Sequence, residues 1–346
     1  MGKMYNIKPI NLLQGEKMEG YLNSLTKPKG SLGEVEEIAI QLAQITNEDF
    51  PEVTPPGIIV FAADHGIASE GVSAFPQEVT VQMVHNFLDG GAAINVLGKQ
   101  IGAKVEIVDI GVAADLDRIG LHRRKIRHGT ANFLEGDAMT REEAWKAIEV
   151  GSDMATSVIE NGVKCLIIGE MGIGNTTSSS AILSALSGLD VEDVIGTGTG
   201  ITTNQLEWKQ QVIRQSLQKR TPDPTDPIDT LSKVGGLEIG GMVGAILAAA
   251  ERKIPILVDG FISTVAALLA QRLYPEAKGY LFIGHRSMEV GHEHAIMLLE
   301  KKPILNLGLR LGEGTGAALA FPILQAATNI VKEMATFESA GVAEKI

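Results

Sequence analysis

VKCLIIGEMGIGNTTSSS, residues Val163 to Ser180, is a strand that runs into a glycine-rich turn with a carboxylate at its edge. Val163 to Ile168 is a short, nearly continuous apolar run, the pattern of a parallel strand buried on both faces. Gly169, Glu170, Gly172 and Gly174 follow, then Asn175, Thr176, Thr177 and three serines. Small residues let backbone approach a ligand closely, and a helix starting there aims its N–H groups at an anion. Phosphate is the natural guest. A carboxylate beside such a cradle repels phosphate, so Glu170 is expected to face another part of the ligand. The alternative is a structural turn whose acid is simply solvated.

Outward from this segment, apolar strand candidates alternate with helix-length stretches. Ile58–Ala63, Val105–Ile110, Ile254–Val258, Tyr280–Ile283 and Ile304–Leu307 read as further strands. Val79 to Ile101 and Arg141 to Asn161 read as helices, the second opened by Thr140 before Arg-Glu-Glu. That alternation predicts an α/β fold with a parallel sheet flanked by helices. Such sheets bind ligands beyond the carboxyl ends of their strands. Here those ends read Asp64-His65-Gly66, Asp109-Ile110-Gly111, Gly169-Glu170, Asp259-Gly260, Gly284-His285-Arg286-Ser287, and Gly308 before Arg310. Polar residues beside glycine at so many ends predict one shared cleft.

Residues 1–50 and 317–346 read as helices without strands, and they are expected to pack together as a small helical domain. Residues 51–316 then form the large α/β domain that carries the site.

The chain has 346 residues with 45% hydrophobic content, enough for a large core. Its formal charge of −12 argues against general binding to nucleic acid or an anionic membrane. The lone cysteine, Cys165, lies within a strand run, so no disulfide can form inside the chain and the thiol reads as buried and inert. MGKMYNIKPI lacks the apolar centre of a signal peptide, and charged residues or glycine interrupt every apolar run. The expectation is a soluble, cytoplasmic protein.

Several motifs deflate on inspection. Gly172-Ile-Gly174 lacks the third glycine of a dinucleotide fingerprint, and Gly91–Lys99 has Ala93 where a P-loop requires glycine and Gln100 in place of its Ser/Thr. Gly196-Thr-Gly198-Thr-Gly200 reads equally as a second phosphate or ribose loop and as a plain turn. Asp64-His65 could be a metal pair, but no further ligands stand at convincing spacing. His292 and His294, two apart, cannot share a helix face and read as solvated or satisfied in the core. No metal or cofactor is required.

Leu309 to Ala320, LRLGEGTGAALA, holds Glu313 between two glycines before a small-residue helix start. Desolvation would raise its pKa and suit it to general-base work, while an acid complementing the helix dipole is the competing reading. Lys209 and Arg310 are candidate cations for a phosphate, or surface charges, and Ser287 could donate a hydrogen bond to it.

TKPKGSLG (Thr26–Gly33), AADHGIASEGVSAFPQEVT (Ala62–Thr80), GEMGIGNTTSSSA (Gly169–Ala181), VGGLEIGGMVGAILAAA (Val234–Ala250), VDGFISTVAALLA (Val258–Ala270), GHRSMEVGH (Gly284–His292) and LRLGEGTGAALA occur in this order along the chain. The set resembles the nicotinate-nucleotide–dimethylbenzimidazole phosphoribosyltransferase family. The resemblance implies a Rossmann-like large domain, a small helical domain, a homodimer and no metal or cofactor. It implies transfer of phosphoribose from nicotinate mononucleotide to 5,6-dimethylbenzimidazole, giving α-ribazole 5′-phosphate and nicotinate, with the base becoming the lower ligand of cobalamin. It makes Glu313 the catalytic base and Glu170 the acid near the ribose carbon. It puts the phosphate against Gly172, Gly174, Asn175 and Thr176, with Lys209 and Ser287 reaching it. Met171, Leu311 and residues from Ser73 to Gln82 would form the benzimidazole slot. The acidic-acidic-TGG loop of transferases that use a pyrophosphate donor is absent. A different acceptor (a phenol, adenine or another benzimidazole), or a non-catalytic nucleotide-binding protein on the same fold, is the competing reading.

Overall fold

The computed structural model describes residues 4–196 and 202–343. Its centre is a seven-stranded sheet in which every pairing is parallel. The strands are β1 (Pro56–Ala63), β2 (Lys104–Gly111), β3 (Leu121–Arg123), β4 (Cys165–Met171), β5 (Ile256–Val258), β6 (Leu281–His285) and β7 (Pro303–Leu305). Their order across the sheet is β3-β2-β1-β4-β5-β6-β7. The order reverses between β1 and β4, and a parallel sheet opens a ligand crevice at that point. β4 is the strand of the opening segment, so its glycine turn lies at the switch.

The sheet is covered on both faces. Ile58 and Ile167 are paired across β1 and β4 and share a face. Gly98, in the helix Ala93–Gln100, packs beside Ile58, and Gly314, before the helix Thr315–Glu333, packs beside Ile167. Phe61 lies three positions along β1 and points to the other face. There it meets Gly241 of the helix Leu237–Glu251. All residues of that helix from Leu237 to Ala250 are buried, so its apolar, small-residue sequence is core.

The expected strands are all present, with ends shifted by up to three residues. β3 has no counterpart in the sequence reading. Its three residues, Leu-His-Arg, sit at the sheet edge and carry too little apolar signal. The stretch Val79–Ile101 is a pair of helices, Glu78–Leu88 and Ala93–Gln100. Gly90, at φ +79°, breaks it by adopting a left-handed conformation that a continuous helix cannot hold. The helix Arg141–Glu160 opens on Thr140 as expected. The Thr140 hydroxyl accepts from Glu143 N–H, and the Glu143 carboxylate accepts from Thr140 N–H, so two end donors are satisfied reciprocally. Most of the loop Gly196–Gly200 lies outside the described residues.

The two chain ends meet. Leu25 bridges to Thr336 and Thr26 N–H donates to Ala335 carbonyl oxygen. Gln41, on the helix Glu34–Thr46, donates to the carbonyl oxygens of Gly279 and Leu281, which ties this segment to the sheet. Among the described residues no helix is long and apolar enough to cross a membrane.

Helices Arg141–Glu160 and Leu237–Glu251 approach so closely that glycine is required at the contact. A methyl on Gly151 would lie 1.8 Å from the Gly241 carbonyl oxygen, and one on Gly244 would lie 1.8 Å from that of Ile148. Overpacking of this kind costs about 1–3 kcal/mol or more and outweighs the helix propensity that alanine brings. Gly151→Ala is therefore expected to lower the urea midpoint at unchanged m-value. A midpoint at or above the native one would mean that the helix pair separates without cost.

Candidate active site

A cavity of about 690 Å³ opens beyond the carboxyl ends of β4, β5 and β6. Its volume lies in the range of small-molecule sites. Four segments build most of it: the turn after β4, the residues after β5, those at the end of β6 and after it, and Gly308–Glu313.

The first loop follows from its glycines. A methyl on Gly169 would lie 2.2 Å from the Glu313 carbonyl oxygen, so only glycine there lets the two chain segments touch. Gly172 packs equally tightly on the Ala63 carbonyl oxygen. Gly174, at φ +100°, is the N-cap of the helix Asn175–Ser187 and lies over His65 and Ile67. The helix therefore presents its positive end toward the cavity, which Asn175 and Thr176 line. Lys209, on the helix Thr203–Arg220, is buried and donates from Nζ to Thr176 Oγ1 at 3.1 Å. Burial lowers its ammonium to about 8 against the attraction of Glu289. It supports the helix end through Thr176 and does not itself line the cavity.

Glu170 and Glu313 both line the cavity and are both buried. The Glu170 carboxyl accepts from the Asn175 side-chain amide. Burial holds it well above the usual carboxylate range, and the nearby charges of Glu238, Asp259 and Glu313 push the same way. Glu313 sits at φ +64° between Gly312 at +91° and Gly314 at +95°. Three consecutive left-handed residues, one of them not glycine, make a strained turn of the kind that persists where surrounding structure enforces it. Burial raises the Glu313 carboxyl to about 7, a backbone N–H at Ile94 opposes this, and Asp259 adds to it. Its Oε2 is buried and makes no hydrogen bond.

Ser287 lies at the cavity wall, and its backbone N–H donates to His292 Nδ1 at 2.8 Å. That bond fixes the tautomer: Nε2 carries the proton and donates to Thr264 Oγ1 at 2.9 Å, and Thr264 donates to the Gly260 carbonyl oxygen at 2.8 Å. Burial lowers His292 to about 3, so the ring is neutral. The histidine is satisfied in the core, and its job is to hold the Ser287 loop.

The other expected positions divide. Met171, Gly172, Arg310 and Leu311 line the cavity. Ser73 and Gln82 are not among its lining residues. Phe75, Val79 and Met83 are, and the last two stand one turn apart on the helix Glu78–Leu88. Asp259 and His285, which in the sequence are only two polar strand ends among several, both line the cavity, with His285 Nε2 3.5 Å from Asp259 Oδ1. Asp64 and His65 are held structurally. Asp64 Oδ2 accepts from Ala113 N–H at 2.8 Å, and His65 Nε2 is 2.7 Å from Glu238 Oε1. No group of three or more His, Cys, Asp or Glu residues among those described could hold a metal ion.

The arrangement suits one kind of guest. A helix end backed by a lysine accepts an anion, while the acids beside it favour positive charge. Apolar side chains close the remaining wall and leave room for a flat ring.

The phosphoribosyltransferase family model matches residues 7–342. The nicotinate-nucleotide–dimethylbenzimidazole phosphoribosyltransferase of Halalkalibacterium halodurans is 52% identical over 341 residues, covering 99% of this chain and 96% of that one. The enzyme of the same name from Chloroflexus aggregans is 54% identical over 322 residues, covering 93% and 91%. The crystal structure of CobT from Thermus thermophilus superposes with a TM-score of 0.93 at 44% identity, covering 96% of this chain and all of that one. With near-complete coverage at this identity, the chain belongs to the nicotinate-nucleotide–dimethylbenzimidazole phosphoribosyltransferase family.

Proposed function

We propose that the cavity transfers phosphoribose from nicotinate mononucleotide to 5,6-dimethylbenzimidazole, giving α-ribazole 5′-phosphate and nicotinate for the lower ligand of cobalamin. The observation that carries the reading is the Glu313 carboxyl: buried at the cavity, unpaired at Oε2 and raised to about 7. A base whose pKa lies near the working pH transfers protons most effectively.

Glu313 takes the N–H proton of the benzimidazole, and the other ring nitrogen attacks C1′ of the ribose. The bond between C1′ and the nicotinate nitrogen breaks, and its electron pair stays on that nitrogen. The pyridinium becomes a neutral ring, so no acid is needed at the leaving group. Positive charge grows at C1′ in the transition state, and an ionised Glu170 stabilises it. The cation itself shifts Glu170 toward ionisation, against the burial that raises it in the empty cavity. The phosphate rests against Gly172, Asn175 and Thr176, with Lys209 behind Thr176 and Ser287 opposite; Gly174 gives the turn its shape and Arg310 stands at the rim. Met171 and Leu311 flank the acceptor ring, and Phe75, Val79 and Met83 suit that apolar slot better than Ser73 or Gln82.

The same reading takes the chain ends, 1–50 and 317–346, as one helical unit, supported by the Leu25–Thr336 bridge. It takes the protein as a cytoplasmic homodimer. Exposed Met288, Val290 and Leu307, next in sequence to cavity residues, are apolar surface that a second copy would cover.

Glu313→Gln is expected to lower turnover by about 10²-fold or more while nucleotide affinity, measured by calorimetry, is retained. Undiminished turnover would remove Glu313 from the mechanism. Because the base works deprotonated, kcat/KM should fall about tenfold per unit as pH drops below about 7, and that limb should vanish in Glu313→Gln. A native profile flat between about pH 5 and 9 would contradict the assignment. An acceptor panel with nicotinate mononucleotide as donor, read by product mass, should give the benzimidazole product in preference to phenol or adenine products. Nucleotide binding without nicotinate release from any acceptor would reduce the protein to a nucleotide binder.

A further inference from the structure

The turn that carries Glu313 is closed on itself by Thr315, whose N–H and Oγ1 donate to the Gly312 carbonyl oxygen at 3.0 and 2.7 Å, but the helix start beyond it has no cap of its own. The helix Thr315–Glu333 begins at Gly314, which has no side chain to cap it. A helix start ordinarily takes an acceptor from its own N-cap side chain onto the third N–H. Here the acceptor comes from the end of β5. Asp259 Oδ1 accepts from Ala317 N–H at 2.9 Å, the third helical N–H, and Oδ2 accepts from Gly314 N–H at 3.0 Å. Both oxygens of one buried carboxylate thus grip the residues just after Glu313. His285 stands against the same carboxylate at 3.5 Å. Its ring fills the place of a side chain at Gly316, where a methyl would lie 1.9 Å from Cδ2. The cap, the histidine and the missing Cβ fit together only with Asp259 in this position.

We propose that Asp259 is a positioning residue for the transfer reaction: by holding the Gly312–Gly314 turn through two charge-assisted hydrogen bonds, it sets the position of the Glu313 carboxyl against the acceptor ring. This rests on the reading of Glu313 as the base. Asparagine at the position keeps the shape but offers one acceptor and one NH2. One of the two N–H groups then faces another donor, and the turn must shift. A misplacement of about 1 Å costs a reaction up to about 10²-fold.

The test is a double-variant cycle on the full chain, with nicotinate mononucleotide and 5,6-dimethylbenzimidazole as substrates. Asp259→Asn should lower kcat about 10- to 100-fold with the nucleotide KM unchanged within about twofold. In the Glu313→Gln background the same change should lower kcat by less than about twofold, because residues that act through one another are not additive. An equal loss in both backgrounds, or a loss expressed in the nucleotide KM, would mean that Asp259 acts on substrate by itself and would overturn the proposal. Native kcat in folded Asp259→Asn would reduce the residue to a helix cap and overturn it too. If Glu313→Gln alone turned over at the native rate, the base assignment would fall first and this proposal with it. Should Asp259→Asn not fold, Asp259→Ser, which keeps an acceptor oxygen without the charge, is read against the same outcomes.

Discussion

The contact on which the site depends is backbone against backbone: Gly169 of β4 beneath the carbonyl of Glu313. No side chain fits between them, since even a methyl would come within 2.2 Å. This contact brings together two acids that lie far apart in sequence. Glu170 follows Gly169 on the strand, and its Oε1 lies 2.5 Å from where a Cβ on Gly312 would stand. Glycine at 169, at 312 and at 314 is therefore one requirement seen from two chain segments. The long parallel sheet delivers the end of β4 to a fixed point, and the chain leaving β7 returns the Glu313 turn over it. Because β1 and β4 are the central pair and the crossovers diverge from them, the crevice opens beside that point.

Crowding acids into a dry pocket is costly, and the structure shows how the charge is managed. Asp259 has both oxygens satisfied by backbone N–H groups and a histidine beside it. Burial still raises it above the usual range, with His285 the main opposing influence. Glu238, equally buried, is paired with His65 directly under the glycine turn. Glu170 accepts from the Asn175 side-chain amide, Glu313 keeps its Oε2 without a hydrogen bond, and burial drives both toward the neutral form. Asp259 and Glu238 are each held beside a histidine, while Glu170 and Glu313 face the cavity without one and retain proton affinity that chemistry can use.

The sheet is legible in the sequence because buried parallel strands read as continuous apolar runs, and the carboxyl-end rule then points to the cleft. What escaped was local. β3 is three residues of an edge strand, too short to carry a pattern. The break at Gly90 was hidden inside an apolar stretch that fits one long helix as well as two. Asp259 looks like any polar strand end, because nothing near it in sequence says that it caps a helix some fifty-five residues later. Phe75, Val79 and Met83 are ordinary amphipathic-helix residues until the helix is laid against the cavity. Long-range partnership leaves no mark in a single sequence, whereas periodicity and glycine placement do.

The polarity of the cavity also bears on the choice of donor. One end offers a helix terminus backed by a buried ammonium, and the other offers carboxyls that burial holds near neutrality. A donor that is anionic at its phosphate and cationic at its ring nitrogen matches both ends at once. On the proposed reading, its entry moves the carboxyls toward ionisation where positive charge must grow, while the departing ring takes that charge out of the leaving bond by becoming neutral. Once the ring is neutral, the attraction that held it beside the acids is gone. On the proposed reading, product release uses the same electrostatics that bind the donor, since a site that attracts a pyridinium has little hold on a pyridine.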